Sequence, residues 1–150
     1  MAENDGSPPR TVVITGGLGN LGSKLCRHLL DQNVAAAAPR YKVVLVEHPA
    51  FLDRPRPHPD AIVLPCDLGQ PGRDATALAA ALRDADALVH FSAVNPYPNA
   101  SWCDSAQSMD QCFYVFQLAV ACQGETWEWR RTCVHEVNYT KTGKEWSRRK

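Results

Sequence analysis

Apolar positions along this chain fall into short β-branched runs separated by longer stretches with helical spacing. Thr11 to Thr15 (TVVIT) is continuously apolar or β-branched and runs into glycine, which predicts a strand buried on both faces. From Gly19 to about Asn33, Leu21, Leu25 and Leu29 recur every four positions, and Cys26 and Leu30 widen the stripe. That spacing predicts an amphipathic helix. Val34 to Arg40 is a connection in which Pro39 stops any helix. Tyr41 to Glu47 (YKVVLVE), Ala61 to Leu64 and Ala87 to Ser92 (ALVHFS) are further expected strands. Gly72 to Ala85 is alanine-rich and helical, with Leu78 and Leu82 on one face. Ser105 to Cys122 predicts a third helix, with Met109, Cys112, Phe113 and Phe116 buried and Tyr114 facing outward.

Proline marks the irregular segments. Pro49, Pro55, Pro57 and Pro59 make His48 to Asp60 an exposed loop, and Pro96 and Pro98 do the same for Asn95 to Ser101. The alternation of strand and helix implies an α/β fold, a parallel sheet of four or five strands with flanking helices. Residues 1–10 read as a flexible leader, 11–122 as the folded domain and 123–150 as a divergent tail. The tail carries Trp127, Trp129 and Trp146 and a basic end, with neither a clear strand nor a helical stripe. There is no internal repeat.

Composition narrows the function classes. The chain has 150 residues, 45% hydrophobic and 21% charged, with a formal net charge of zero. That balance suits one globular domain and supplies no overall pull toward nucleic acid or an anionic membrane. No apolar run reaches membrane-spanning length, and the mixed-charge opening lacks the pattern of a secretory signal. Six cysteines include no C-x-x-C pair, and the histidines share no metal-ligand spacing, so no metal site is expected. Reduced thiols in the cytoplasm are the expectation. In that compartment the sequons at Asn99 and Asn138 have no meaning.

The chemistry concentrates in Thr15-Gly16-Gly17-Leu18-Gly19-Asn20-Leu21-Gly22, between the first strand and the first helix. A dinucleotide fingerprint requires that location. Glycine permits the sharp turn and lets phosphate oxygens approach the backbone, and the last glycine lets the helix pack closely. The helix N-terminus adds free N–H groups and partial positive charge. Glu47 ends the second strand, where a carboxylate accepts hydrogen bonds from an adenosine ribose. This favours NAD over NADP, although Arg54 and Arg56 offset the preference. A tight turn without a ligand is the alternative. A Walker A loop is rejected, because Ser23 stands where its lysine must be and Lys24 comes one place late.

Thr15-Gly16-x-x-Gly19-x-x-Gly22 resembles the extended short-chain dehydrogenase/reductase family, also called NAD-dependent epimerase/dehydratases. Cys66-Asp67-Leu68 is similar to the family's Asp-Leu step near the adenine, and Val89-His90-Phe91-Ser92-Ala93 to its fourth strand. Asn95-Pro96-Tyr97-Pro98 and Trp102 resemble a branch close to uronate dehydrogenases. The resemblance covers about residues 11–120. It implies a Rossmann-type sheet, NAD, and a sugar or sugar-derived substrate. The expected cofactor contacts are Thr15, Gly16, Gly19, Asn20, Leu21, Gly22, Glu47, Asp67, Leu68, Ser92 and Ala93. Asp67 is either an adenine contact or a loop cap, and His90 reads as a packed histidine.

Departures from the family pattern limit the functional reading. Where members often carry an asparagine after the fourth strand, the comparable stretch here offers Tyr114. The family's Tyr-x-x-x-Lys pair is absent. Gly143 stands four residues after Tyr139, while Lys141 and Lys144 fall about 200° and about 140° around a helix. The expectation is therefore the cofactor half of an NAD-dependent oxidoreductase or epimerase without a named catalytic residue. The rivals are a non-catalytic NAD-binding or regulatory module and a non-functional fragment. An incompletely covered sheet would expose an apolar face and an edge, for which a homo-oligomer is one expected remedy.

Overall fold

The computed structural model describes residues 7–34, 36, 38–94, 99 and 101–123. Within them the order is β1 (Arg10–Thr15), α1 (Asn20–Val34), β2 (Tyr41–Glu47), β3 (Ile62–Pro65), α2 (Pro71–Arg83), β4 (Ala87–His90) and α3 (Trp102–Gln123), with a short 3₁₀ turn over Pro49–Phe51. The strands form one parallel sheet in the order β3-β2-β1-β4. This is the expected Rossmann-type α/β arrangement, with four strands among the described residues.

Strand pleating divides the core into two. Val12 and Ile14 of β1 and Val43 and Leu45 of β2 face Cys26 and Leu30 of α1. Val13, Val44 and Val46 point the other way, toward Leu78 and Leu82 of α2 and Val115 and Ala119 of α3. Burial on both faces explains why β1 and β2 read as unbroken apolar runs rather than alternating ones. Asn33 fastens the end of α1 to the start of β2. Its Oδ1 accepts from Arg40 N at 2.8 Å and Tyr41 N at 3.0 Å, while its Nδ2 donates to Tyr41 O at 2.8 Å.

Two helix faces differ from expectation. In α1 the fully buried row is Gly22, Cys26 and Leu30, and Leu25 and Leu29 flank it half-buried. In α3 the buried residues are Val115 and Ala119, whereas Met109 is 65% and Phe113 66% exposed. Tyr114, expected to face outward, packs against the α2–α3 core together with Phe116. Apolar side chains occur on most faces of α3, so their spacing alone does not orient it. Trp102 and Val120 add to its exposed apolar side. Strand β4 ends at His90, where its β1 partner Thr15 also ends.

The expected loop from His48 to Asp60 contains the 3₁₀ turn, which begins at Pro49 and is capped by the His48 ring accepting from Ala50 N at 3.1 Å. Pro96, Pro98, the tail from 124 onward and residues 1–6 of the expected leader lie outside the described residues. Among the described residues no helix is long and apolar enough to cross a membrane.

Candidate cofactor site

The chain steps outward from β1 to β3 and then crosses back to place β4 on the other side of β1. Connections leaving β1 and β4 therefore diverge, and a crevice opens beyond their carboxyl ends. A cavity of about 570 Å³ lies there, within the range of small-molecule sites. All four strand ends reach it: Gly16 and Gly19 after β1, Val46 and Glu47 on β2, Cys66 to Leu68 after β3, and Phe91 to Val94 after β4.

Backbone bonds set the shape of the glycine turn. Gly16 N donates to Val46 O at 2.9 Å, Gly19 N to Gly16 O at 3.0 Å, and Ser23 N to Gly19 O at 2.9 Å. Gly16 has φ +66°, and a Cβ there would also lie 3.0 Å from Phe91 C and Ser92 N. A side chain is thus excluded by both dihedral and space. At Gly22 a Cβ would strike the Gly16 carbonyl and approach Gly17 Cα at 2.7 Å, so α1 can begin this close to the turn only with glycine. Gly17 was not among the expected contacts. Its Cβ would sit 2.5 Å from Leu45 Cβ, so its constraint is packing on β2.

Gly19 is different, because a Cβ there would meet only the Gly16 carbonyl, at 3.1 Å, while the residue itself lines the cavity. Asn20, Leu21 and Gly22 lie just beyond the cavity wall in the first turn of α1. Their N–H groups precede the first intrahelical acceptor. No acidic side chain occupies that turn to compete for an anion. The turn therefore fits a pyrophosphate: open backbone at Gly19, the first amides of α1 behind it, and no acidic side chain in that first helical turn.

Glu47 is buried, and both of its oxygens are engaged. Oε2 accepts from Leu18 N at 3.0 Å and Oε1 from His48 N at 3.0 Å. The carboxylate thus ties the glycine turn to the end of β2 while lining the cavity. Each oxygen keeps further acceptor capacity. Asp67 caps its loop by accepting from Gly69 N at 2.8 Å, and its Oδ2 lies 3.6 Å from His48 Nε2. The loop-cap role is thus present, and Asp67 also lines the cavity. Leu68 is shared between the cavity and the core, and Ser92 and Ala93 line the β4 side.

Thr15 lies behind the wall rather than on it. Its Oγ1 is 2.7 Å from His90 Nδ1 and accepts from Ser92 N at 3.4 Å, which couples the ends of β1 and β4. Burial lowers the pKa of His90, favouring the neutral ring. Among the described residues its buried Nε2 has no hydrogen-bond partner, and the ring packs edge-on to Phe116 at 6.1 Å between centroids.

Several lining residues escaped the sequence reading. His48 and Phe51 come from the proline-rich loop, as does Arg54, which the sequence had named beside Arg56; its guanidinium lies 4.2 Å from the Phe51 ring centroid. Cys66 also lines the cavity. Burial first, then the charges of Asp74 and Asp67, push its thiol up to about 11, so it is not a ready nucleophile. From α3 the lining residue is Gln111, not Tyr114, whose hydroxyl pKa is raised chiefly by burial in the core. Only the orientation of α3 distinguishes the two, and spacing could not supply it. Among the described residues no group of three or more His, Cys, Asp or Glu side chains is placed to hold a metal. Tyr139, Lys141, Gly143 and Lys144 lie outside the described residues.

Fold and cleft together define a nucleotide-binding α/β domain. The chain belongs to the NAD dependent epimerase/dehydratase family, whose model matches residues 12–130. Among solved structures it is similar to WbmG of Bordetella bronchiseptica, an enzyme crystallised with NAD and UDP. There the TM-score is 0.57 at 22% identity, covering 77% of this chain and 35% of that one. A UDP-galactose 4-epimerase gives TM-score 0.50 at 26% identity, over 73% of this chain and 34% of its own. L-threonine dehydrogenase of Clostridium difficile gives 0.54 at 18% identity, over 75% and 34%. The chain thus spans about a third of the length of these structures. No curated protein sequence matches it significantly.

Proposed function

We propose that this chain binds NAD in the strand-end cleft and is the cofactor half of an oxidoreductase or epimerase acting on a sugar or sugar acid. The observation that carries the reading is the cleft itself. It brings an open glycine turn and the Glu47 carboxylate into one cavity at the sheet's crossover, with a helix start free of acidic side chains behind the turn. Gly16, Gly19 and the amides of Asn20, Leu21 and Gly22 would hold the pyrophosphate. Glu47 would take the ribose hydroxyls, and Asp67 with Leu68 would border the adenine. Ser92 and Ala93 would flank the remainder. NAD would supply hydride transfer at a sugar carbon; the chain's own residues bind and orient it. The sugar assignment rests on family membership and on the uronate-dehydrogenase-like Asn95-Pro96-Tyr97-Pro98 stretch. A cytosolic setting rests on cysteine usage.

A second reading, a non-catalytic NAD-binding module, is favoured by the spacing around Tyr139, which puts no lysine on the tyrosine's face. Titration with NAD followed by intrinsic fluorescence tests the shared part. Binding is expected, and Gly19→Val is expected to weaken it by about tenfold or more while melting near the parent temperature. Gly22→Val is expected to lose binding and fold stability together. Unchanged affinity in both variants would overturn the cleft reading. Reduction of NAD in the presence of uronic acids separates enzyme from module, since only the enzyme reading produces it. A chain that fails to melt cooperatively would instead support a non-functional fragment.

A further inference from the structure

We infer that Arg54 gives this cleft a second mode, in which it accepts the 2′-phosphorylated dinucleotide NADP alongside NAD. The inference rests on the reading of the cleft as a dinucleotide site and extends it to the choice of cofactor. The sequence leaves a contest between Glu47, which opposes a 2′-phosphate, and two nearby arginines that would attract one. The structure decides which of these groups meet in the cavity.

Glu47 is the weakened party. Both of its carboxylate oxygens already accept backbone N–H groups, from Leu18 and His48, and these dipoles oppose its charge. The second carboxylate on the wall, Asp67, is likewise engaged by Gly69 N and faces the His48 ring at 3.6 Å. Arg54 is the opposite case. It lines the same cavity, and among the described residues no carboxylate lies within ion-pair distance of it. Arg56 is not part of the wall.

The guanidinium is also held in place. It lies 4.2 Å from the Phe51 ring centroid, a stacking position that limits its swing. Phe51 closes the 3₁₀ turn, which the His48 ring caps through Ala50 N, and Arg54 N donates to Phe51 O at 3.2 Å. An oriented guanidinium without an acidic partner presents a planar fork of donors suited to phosphate. Arg54 is solvent-exposed, so its pull on a phosphate falls as salt rises.

Calorimetric titration of the full chain with NAD and NADP, at low and at physiological salt, tests this. NADP is expected to bind within about tenfold of NAD at low salt and to weaken more than NAD as salt rises. Arg54→Ala is expected to weaken NADP by about tenfold while changing NAD by less than about threefold. Arg54→Lys, which keeps the charge but not the fork, is expected to recover part of the loss. Thermal melting of each variant checks that the fold is intact. If NAD binds but NADP is more than about a hundredfold weaker, the inference is overturned and the NAD reading stands. Equal loss of both ligands in Arg54→Ala also overturns it, because the side chain then serves the common part of the molecule. If neither dinucleotide binds, the cleft reading itself fails.

Discussion

Burial holds the His90 imidazole below its ordinary pKa, and this has a consequence for stability. The folded chain resists protonating the ring, whereas the unfolded chain takes up the proton near pH 6.5. Below that pH the unfolded state binds more protons, so stability falls as pH falls, by at most about 1.4 kcal/mol per pH unit for one group. Above it the contribution is complete. Melting temperatures measured between pH 7.5 and 5 are expected to drop more steeply for the parent than for His90→Gln, which cannot titrate. Equal slopes would mean that the buried ring does not sense pH. Glu47 makes a second test at this scale. Glu47→Ala strips acceptors from Leu18 N and His48 N. Leu18 N is buried, and leaving such a donor unpaired costs about 1–3 kcal/mol, so a lower denaturation midpoint is expected even without ligand.

At the scale of elements, legibility followed the way each element is buried. Strands β1 and β2 are enclosed on both faces, so their sequence shows it directly as unbroken apolar runs. The span of α1 was equally clear, although its most buried row runs through Gly22, which carries no hydrophobic signal. Helix α3 is the instructive failure. Phe116 packs against the core as expected, but Met109 and Phe113 face outward, and the fully buried positions are Val115 and Ala119. The energetic ranking should follow the structure. Phe113→Ala is expected to change stability by no more than about 0.5 kcal/mol, as for most exposed positions. Leu78→Ala, fully buried in the same layer, is expected to cost about 2–5 kcal/mol. Urea denaturation of the two variants gives the comparison, and a larger loss at Phe113 would place α3 the other way round.

On the scale of the whole molecule, the cleft draws on parts of the chain that differ in how far apart they lie in sequence. The glycine turn was legible because its residues are consecutive and its strand and helix flank it. Gln111 was not, and the sequence could not choose between Arg54 and Arg56, since a helix rotation and a loop path that only the tertiary fold determines bring Gln111 and Arg54 to the cavity. One physical consequence belongs to the assembled site alone. A ligand touching the ends of all four strands should resist their separation, not merely order the turn. NAD at about a hundredfold its Kd would stabilise the folded state by about 2.7 kcal/mol if it binds only that state. Amide hydrogen exchange should then slow at Gly16, Glu47, Asp67 and Ser92 together, because separating any one strand end would release the same ligand. Amides at Arg10 and Tyr41, at the opposite ends of β1 and β2, should change only through the smaller rise in global stability. Slowing confined to Gly16 through Gly22 would show that only the phosphate portion is held, and that the crevice between the strand ends does not act as one site.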